Sequence, residues 1–286
     1  MSTQNLTAVL FVLGLIYSGL LGLCVGRTYK YVLRRGPRTE HQRIFTAFYA
    51  FLWAELTLTI TLYFLLSAQT IKTSTQSKSV TLGVLSFYFL PTILMVLSYV
   101  LLYQHLELMM TSSRIASSNS FRNRLHNAKI AIYARVAIIS FIALFVGVQV
   151  LLMLLCFFGA ISIEAFYLEI IIFTGIIVVG VNCYQVFVYC KLVGSPYKDQ
   201  RSYKYVRHLG IVCGVWSVAF GLKFIAVGEG KSLFQIDISQ DTPEVWTACV
   251  LGLTDFFTII IPFYCVVDSK FIKIMTCKHL NPKTSS

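Results

Sequence analysis

The sequence predicts an all-α polytopic membrane protein, a receptor-like bundle of seven transmembrane helices with its N-terminus outside or lumenal and its C-terminus cytosolic. Three observations predict it: the apolar composition, seven apolar runs of spanning length, and basic charge that alternates from loop to loop. Of 286 residues, 57% are hydrophobic and only 13% charged. Soluble domains use roughly a quarter charged positions to cover their surface. Most of this surface must therefore face lipid. The net charge of +12 would suit nucleic acid if the cations formed one patch. Instead nearly every Lys and Arg stands just beyond an apolar run, which places them on cytosolic loops against anionic lipid and excludes a nucleic-acid partner.

About 20 helical apolar residues cross the hydrocarbon core. That window gives spans at 6–26, 44–67, 81–110, 132–160, 165–190, 209–228 and 246–267. The third and fourth runs are long enough to tilt or to project past the bilayer. The first run reads as a retained anchor, because no basic segment precedes it and no small-residue cleavage site stands before Arg27. Residues 1–286 thus form one membrane domain, with 268–286 as a cytosolic tail. The longest loop on the outer side, from Glu229 to Val245, is too short to be a domain.

Charge sets the orientation. Arg27, Lys30, Arg34, Arg35, Arg38 and Arg43 follow the first span. Arg114, Arg122, Arg124 and Lys129 follow the third. After the fifth come Lys191, Lys198, Arg201, Lys204 and Arg207, and the tail adds Lys270, Lys273, Lys278 and Lys283. The opposite loops hold Lys72, Lys78 and Lys231 beside Glu164, Glu229, Asp237, Asp241 and Glu244. The positive-inside rule then places the N-terminus outside. Asn5-Leu6-Thr7 is a glycosylation sequon on that side, close enough to the bilayer that the expected reading is an unused site.

Ionisable residues inside the bilayer are the default functional candidates, because each costs several kcal/mol unless paired or hydrated. Glu55 falls roughly 16 Å into the second span and Asp255 roughly 13 Å into the seventh. Lys223 is close enough to the outer end of the sixth to snorkel outward. Two readings stay open. Lys223 meets Asp255, Glu55 or both in a polar centre that binds a polar ligand or ion, or these are a structural pair that fixes helix packing or a protonated carboxyl bonded to a Thr. His105 and Glu107 fall at the cytosolic end of the third span, where a partner would read them; as solvated helix-end residues they need no function. Glu107 joins Arg201, Lys204 and Arg207 as a candidate cytosolic partner face. Pro91 and Pro262 are expected to kink the third and seventh spans, which membrane helices tolerate where neighbours satisfy the freed carbonyl.

Ser18, Gly22 and Gly26 recur every four residues on the first span, a small-residue ridge expected to seat a neighbouring span, with dimerisation as the second use. Beyond the seventh, residues 268–278 alternate apolar pairs with Lys, as a short interfacial helix does, and Cys277 stands where palmitoylation would pin it. The eight Cys spell no disulfide framework; Cys156 and Cys249 are the pair near the outer face. No phosphate loop, His-Glu-x-x-His or paired-aspartate signature occurs, and the five His lack Cys or Asp at ligand spacing. An enzyme, a metal site and a cofactor are therefore not expected.

Three stretches carry a family likeness. One runs from Tyr184 through Lys191, Pro196, Lys198, Arg201, Lys204, Gly210 and Cys213 to Phe220-Gly221-Leu222-Lys223. Another is Leu90-Pro91 opening an apolar run that ends in Tyr, His and Glu, and the third is the seventh span with Pro262 before a basic end. In this order they resemble the plant tobamovirus-multiplication family and its animal seven-span relatives, orphan receptor-like proteins of endolysosomal membranes. Lys223 stands where that family tends to have arginine, and Ile259 where it usually has a carboxylate. Asp255, one turn back on the same helical face, is placed to replace that group. The resemblance implies residence in a vacuolar, lysosomal or other endomembrane, with recruitment of a cytosolic machine such as a small GTPase.

The expected function is a receptor-like scaffold or regulator that recruits cytosolic partners to an endomembrane. The alternative is a cell-surface G-protein-coupled receptor acting on a heterotrimeric G protein. It lacks Asp-Arg-Tyr after the third span and has Ile261-Pro262-Phe263-Tyr264 in place of Asn-Pro-x-x-Tyr. A second alternative is a small-solute or proton-coupled transporter that uses Glu55, Asp255 and Lys223.

Overall fold

In a computed structural model the chain is described over residues 3–30, 40–71, 78–117, 121–193, 201–229 and 245–268. These residues are almost wholly helical: α1 Thr3–Thr28, α2 Glu40–Ile71, α3 Lys78–Ser117, α4 Phe121–Phe157, α5 Ile163–Val193, α6 Arg201–Glu229 and α7 Val245–Val267. Among the described residues five helices are long and apolar enough to cross a membrane, at Asn5–Thr28, Arg43–Ala68, Phe87–Leu106, Ile163–Phe187 and Val206–Ile225. Shorter apolar stretches, Ala143–Phe157 and Ala248–Tyr264, lie in α4 and α7. The protein is an all-α integral membrane protein.

The link between α4 and α5 shows how sequence sets an element's ends. The fourth run was expected to reach Ala160, but α4 stops at Phe157. Gly159 has φ 81°, a conformation that L side chains rarely adopt. The Gly159 amide donates to the Cys156 carbonyl at 3.1 Å and the Ala160 amide to the Leu155 carbonyl at 2.9 Å, the two crossed bonds of a Schellman cap. Ser162 then accepts from the Ala165 amide at 3.1 Å through its hydroxyl, the N-cap of the next helix. Hence α5 begins at Ile163, earlier than the expected Ala165.

Helices consecutive in the chain run antiparallel, as α1 and α2 show. Thr28 meets Trp53 near one end of the α1–α2 pair, and Thr7 meets Ser67 near the other. α2 continues onto α3, α6 packs on α3, α5 and α7, and α7 returns to α1. α4 touches its neighbours least intimately, through α3 and α5. Side chains turned away from the bundle, such as Leu144, Ile176 and Val218 at 63–68% exposure, are apolar. Water would penalise such faces, whereas lipid does not.

The small-residue ridge on α1 departs from expectation. Gly22 and Gly26 are exposed, and a Cβ added to either would meet nothing within 4 Å. No neighbouring span sits on that face among the described residues. Close approach occurs elsewhere: a Cβ on Gly252 would lie 2.7 Å from Leu13 Cδ1, and one on Gly14 would lie 3.0 Å from Phe64. Small residues at a four-residue spacing mark a face without saying which way it turns.

Candidate functional site: a buried charge cluster

The bundle interior is lined with aromatic rings from α1, α2, α3 and α6, and the charged cluster sits among them. Lys223 on α6 and Asp255 on α7 form an ion pair, Nζ to Oδ1 3.0 Å, with both side chains almost fully buried. Lys223 does not snorkel outward, as its position near the end of the sixth run allowed. Its ammonium turns inward and lies 5.7 Å from the centroid of the Tyr88 ring on α3, within cation–π range.

Asp255 uses its second oxygen as well. The Tyr63 hydroxyl on α2 donates to Oδ2 at 2.8 Å. The Tyr63 ring stacks on Tyr17 of α1, centroids 5.4 Å apart and nearly parallel, and the Tyr17 hydroxyl donates to the Gly252 carbonyl of α7 at 3.1 Å. The carboxylate thus ties α2 and α6 to α7, and Tyr17 adds α1 through its stack on Tyr63 and its bond to Gly252. A buried ion pair holds when its remaining lone pairs are satisfied, and here the tyrosine supplies that bond.

Glu55 is the third charged candidate, and its surroundings differ. It is 1% exposed, and both Lys223 and Asp255 lie within electrostatic reach of it. Yet neither carboxyl oxygen has a hydrogen-bond partner among the described residues. It sits about 12 Å along α2 from Tyr63, toward the α2 N-terminus. Lys223 and Asp255 meet as an ion pair, whereas Glu55 is buried without a hydrogen bond to either of them.

Below the ion pair, toward the C-terminus of α1, a second polar layer joins α3, α6 and α7. Pro262 cannot donate to the carbonyl of Thr258 one turn back. The Trp216 indole N–H takes that place, donating to Thr258 O at 2.9 Å. α7 stays helical through Pro262 as a result, and Pro91 likewise lies inside unbroken α3. Tyr99 shares a short hydrogen bond with Ser217, donates to the Tyr103 hydroxyl at 2.7 Å, and meets the Trp216 ring edge-on at 5.2 Å. His105 was expected at a solvated helix end. It is instead fully buried, because α3 runs on to Ser117 and carries it inside the bundle.

Sequence reading missed a further intramembrane carboxyl. Glu169 Oε1 on α5 accepts from the Gln149 amide on α4 at 2.9 Å. The signal was present: Glu169 stands six residues beyond the helix start, inside the apolar run Ile163–Phe187, where an ionisable group is a candidate by default. Tyr63, Tyr17 and Trp216 carried no comparable signal, since an aromatic in an apolar run looks like core.

The other sequence candidates lie apart from the cluster. Lys204 and Arg207 are exposed at the start of α6, and Asn5 is exposed at the start of α1. The side chains of Glu107 and Arg201, and the tail with Cys277, lie outside the described residues. Cys156 and Cys249 are free thiols. Among the described residues no group of three or more His, Cys, Asp or Glu is placed to hold a metal ion. Comparison with protein-family models, with curated proteins and with solved structures returns no match.

Proposed function

We propose that the chain is a seven-span, receptor-like membrane protein that recruits cytosolic partners to an endomembrane through one basic end of its bundle. The observation that carries this reading is where the exposed cations gather. Arg27 closes α1 and Lys30 follows it, Arg43 lies in the first turn of α2, and Lys204 and Arg207 lie near the start of α6; all are exposed, and the antiparallel packing gathers these helix ends at one end of the bundle. The positive-inside rule makes that end cytosolic and the N-terminus lumenal. A cationic surface of this kind attracts anionic lipid and acidic protein surfaces. The resemblance to the tobamovirus-multiplication family supports an internal membrane and a partner such as a small GTPase.

The test joins localisation to partner capture. A tag on the C-terminus, expressed at native level, should report an internal membrane, and proximity labelling from the tag should mark cytosolic regulatory proteins. Lys204→Glu with Arg207→Glu should lose the labelled partner while the chain keeps its membrane. Steady residence at the plasma membrane, with nucleotide exchange on a heterotrimeric G protein, would replace this reading with a surface receptor.

A further inference from the structure

Charge balance in the interior leads beyond partner recruitment, and does not depend on it. Three ionisable side chains, one basic and two acidic, are buried in the same bundle interior. Lys223 gives its charge to Asp255 Oδ1 at 3.0 Å, and Tyr63 completes Asp255 through Oδ2. Nothing is left for Glu55, whose two oxygens are both buried and without a partner among the described residues. An ionised carboxylate held that way costs several kcal/mol in a low-dielectric interior. One further positive charge is required at Glu55.

We propose that Glu55 is a proton-binding site, loaded when Lys223 is on Asp255 and emptied when Lys223 turns to Glu55. A metal cation fits less well. Glu55 is not part of any group of three metal-ligating side chains among the described residues, and its helix neighbours Leu52, Leu56 and Thr59 offer little coordination. A proton needs one oxygen and no cage.

Several helices present titratable groups to this interior. α1 presents Tyr17, α2 itself presents Tyr63, and α3 presents Tyr88 with His105 further toward its C-terminal end. α6 presents Lys223 and α7 Asp255. Lys223 is therefore the cation within the cluster that can answer a second carboxylate. When the site empties, the proton passes from a Glu55 oxygen to water. The Lys223 ammonium, until then on Asp255 Oδ1, becomes shared with Glu55, and the cluster goes from neutral to one negative charge. Because Lys223 belongs to α6 and Glu55 to α2, the exchange moves an α6 side chain against the other helices.

Infrared difference spectroscopy on the full chain in lipid nanodiscs, with glutamate carboxyls isotope-labelled to separate them from aspartate, reads this directly. Raising the pH should remove a protonated-glutamate C=O band in the wild type. That band should be missing in Glu55→Gln and retained in Glu169→Gln. In Asp255→Asn the ammonium loses its aspartate and should keep Glu55 ionised, so the band should be missing at every pH. The labelled wild type tests the idea even where a variant fails to fold. A wild-type spectrum with no protonated-glutamate band, or a band that no pH change removes, overturns the proposal. So does ionised Glu55 whose bands move with sodium or potassium, which would make it a metal-cation site.

Discussion

Compare how two parts of the bundle bury their polar groups. Around Lys223 and Asp255, side chains from α1, α2, α3, α6 and α7 meet in a layered network, and nearly every member is fully enclosed by its neighbours. Between α4 and α5 the cross-helix polar contact is Gln149 to Glu169, at 2.9 Å, with Phe145 stacked on Phe173 at 4.6 Å beside it. The first part encloses charge, so its groups must satisfy one another. The second lies nearer lipid, with half-buried Glu169 bonded to a neutral amide. Loss of a partner should hurt far more in the first part than in the second.

The largest effect is expected at the ion pair. Lys223→Met strands Asp255 and should destabilise the folded bundle by about 3–5 kcal/mol, read as a lowered unfolding midpoint in detergent or bicelles. Asp255→Leu added to it should recover much of that loss. If the double variant is no better than the single one, the cluster is not held by charge pairing.

Next comes Tyr63→Phe, which removes a bond to a charged oxygen and should cost about 1.5–3 kcal/mol. Overpacking at the α1–α7 contact should be similar. Gly252→Ala places a methyl 2.7 Å from Leu13 and should cost about 1–3 kcal/mol, whereas Gly22→Ala meets open space and should stay within about 0.5 kcal/mol. Thermal melts of the two glycine variants side by side would show whether α1 is held where the structure places it.

The smallest effect is expected in the lipid-facing part. Gln149→Leu should cost about 0.6 kcal/mol, the average of polar contacts between membrane helices. A loss as large as that of Lys223→Met would mean that Glu169 carries a charge the bundle depends on, and the contrast between the two parts would fail.

Depth along a helix was legible in the sequence, and direction around it was not. Counting from the ends of apolar runs put Glu55 and Asp255 deep in the bundle, since residue number converts to distance along the axis. The same count left Lys223 free to point either way; the aspartate on α7 decided it. The ridge of Ser18, Gly22 and Gly26 shares one face, but only packing shows that its glycines turn outward while Gly14 and Gly252 make the close contacts. His105 was misplaced because nearness to the end of an apolar run does not show whether other helices cover that position. Tyr63 and Trp216 were hidden for another reason: their use depends on a partner in a different helix, an aspartate oxygen in one case and a carbonyl freed by Pro262 in the other.

The bond from Trp216 to Thr258 has one more consequence. The chain has three tryptophans, and this one is fully buried, its N–H committed to a carbonyl of the adjoining helix. Any displacement of α6 against α7 must exchange that bond for water or leave it unmade. Indole emission responds to that change in polarity. With Trp53 and Trp246 replaced by Phe, the protein would carry its own fluorescent gauge of α6 movement, with no dye attached.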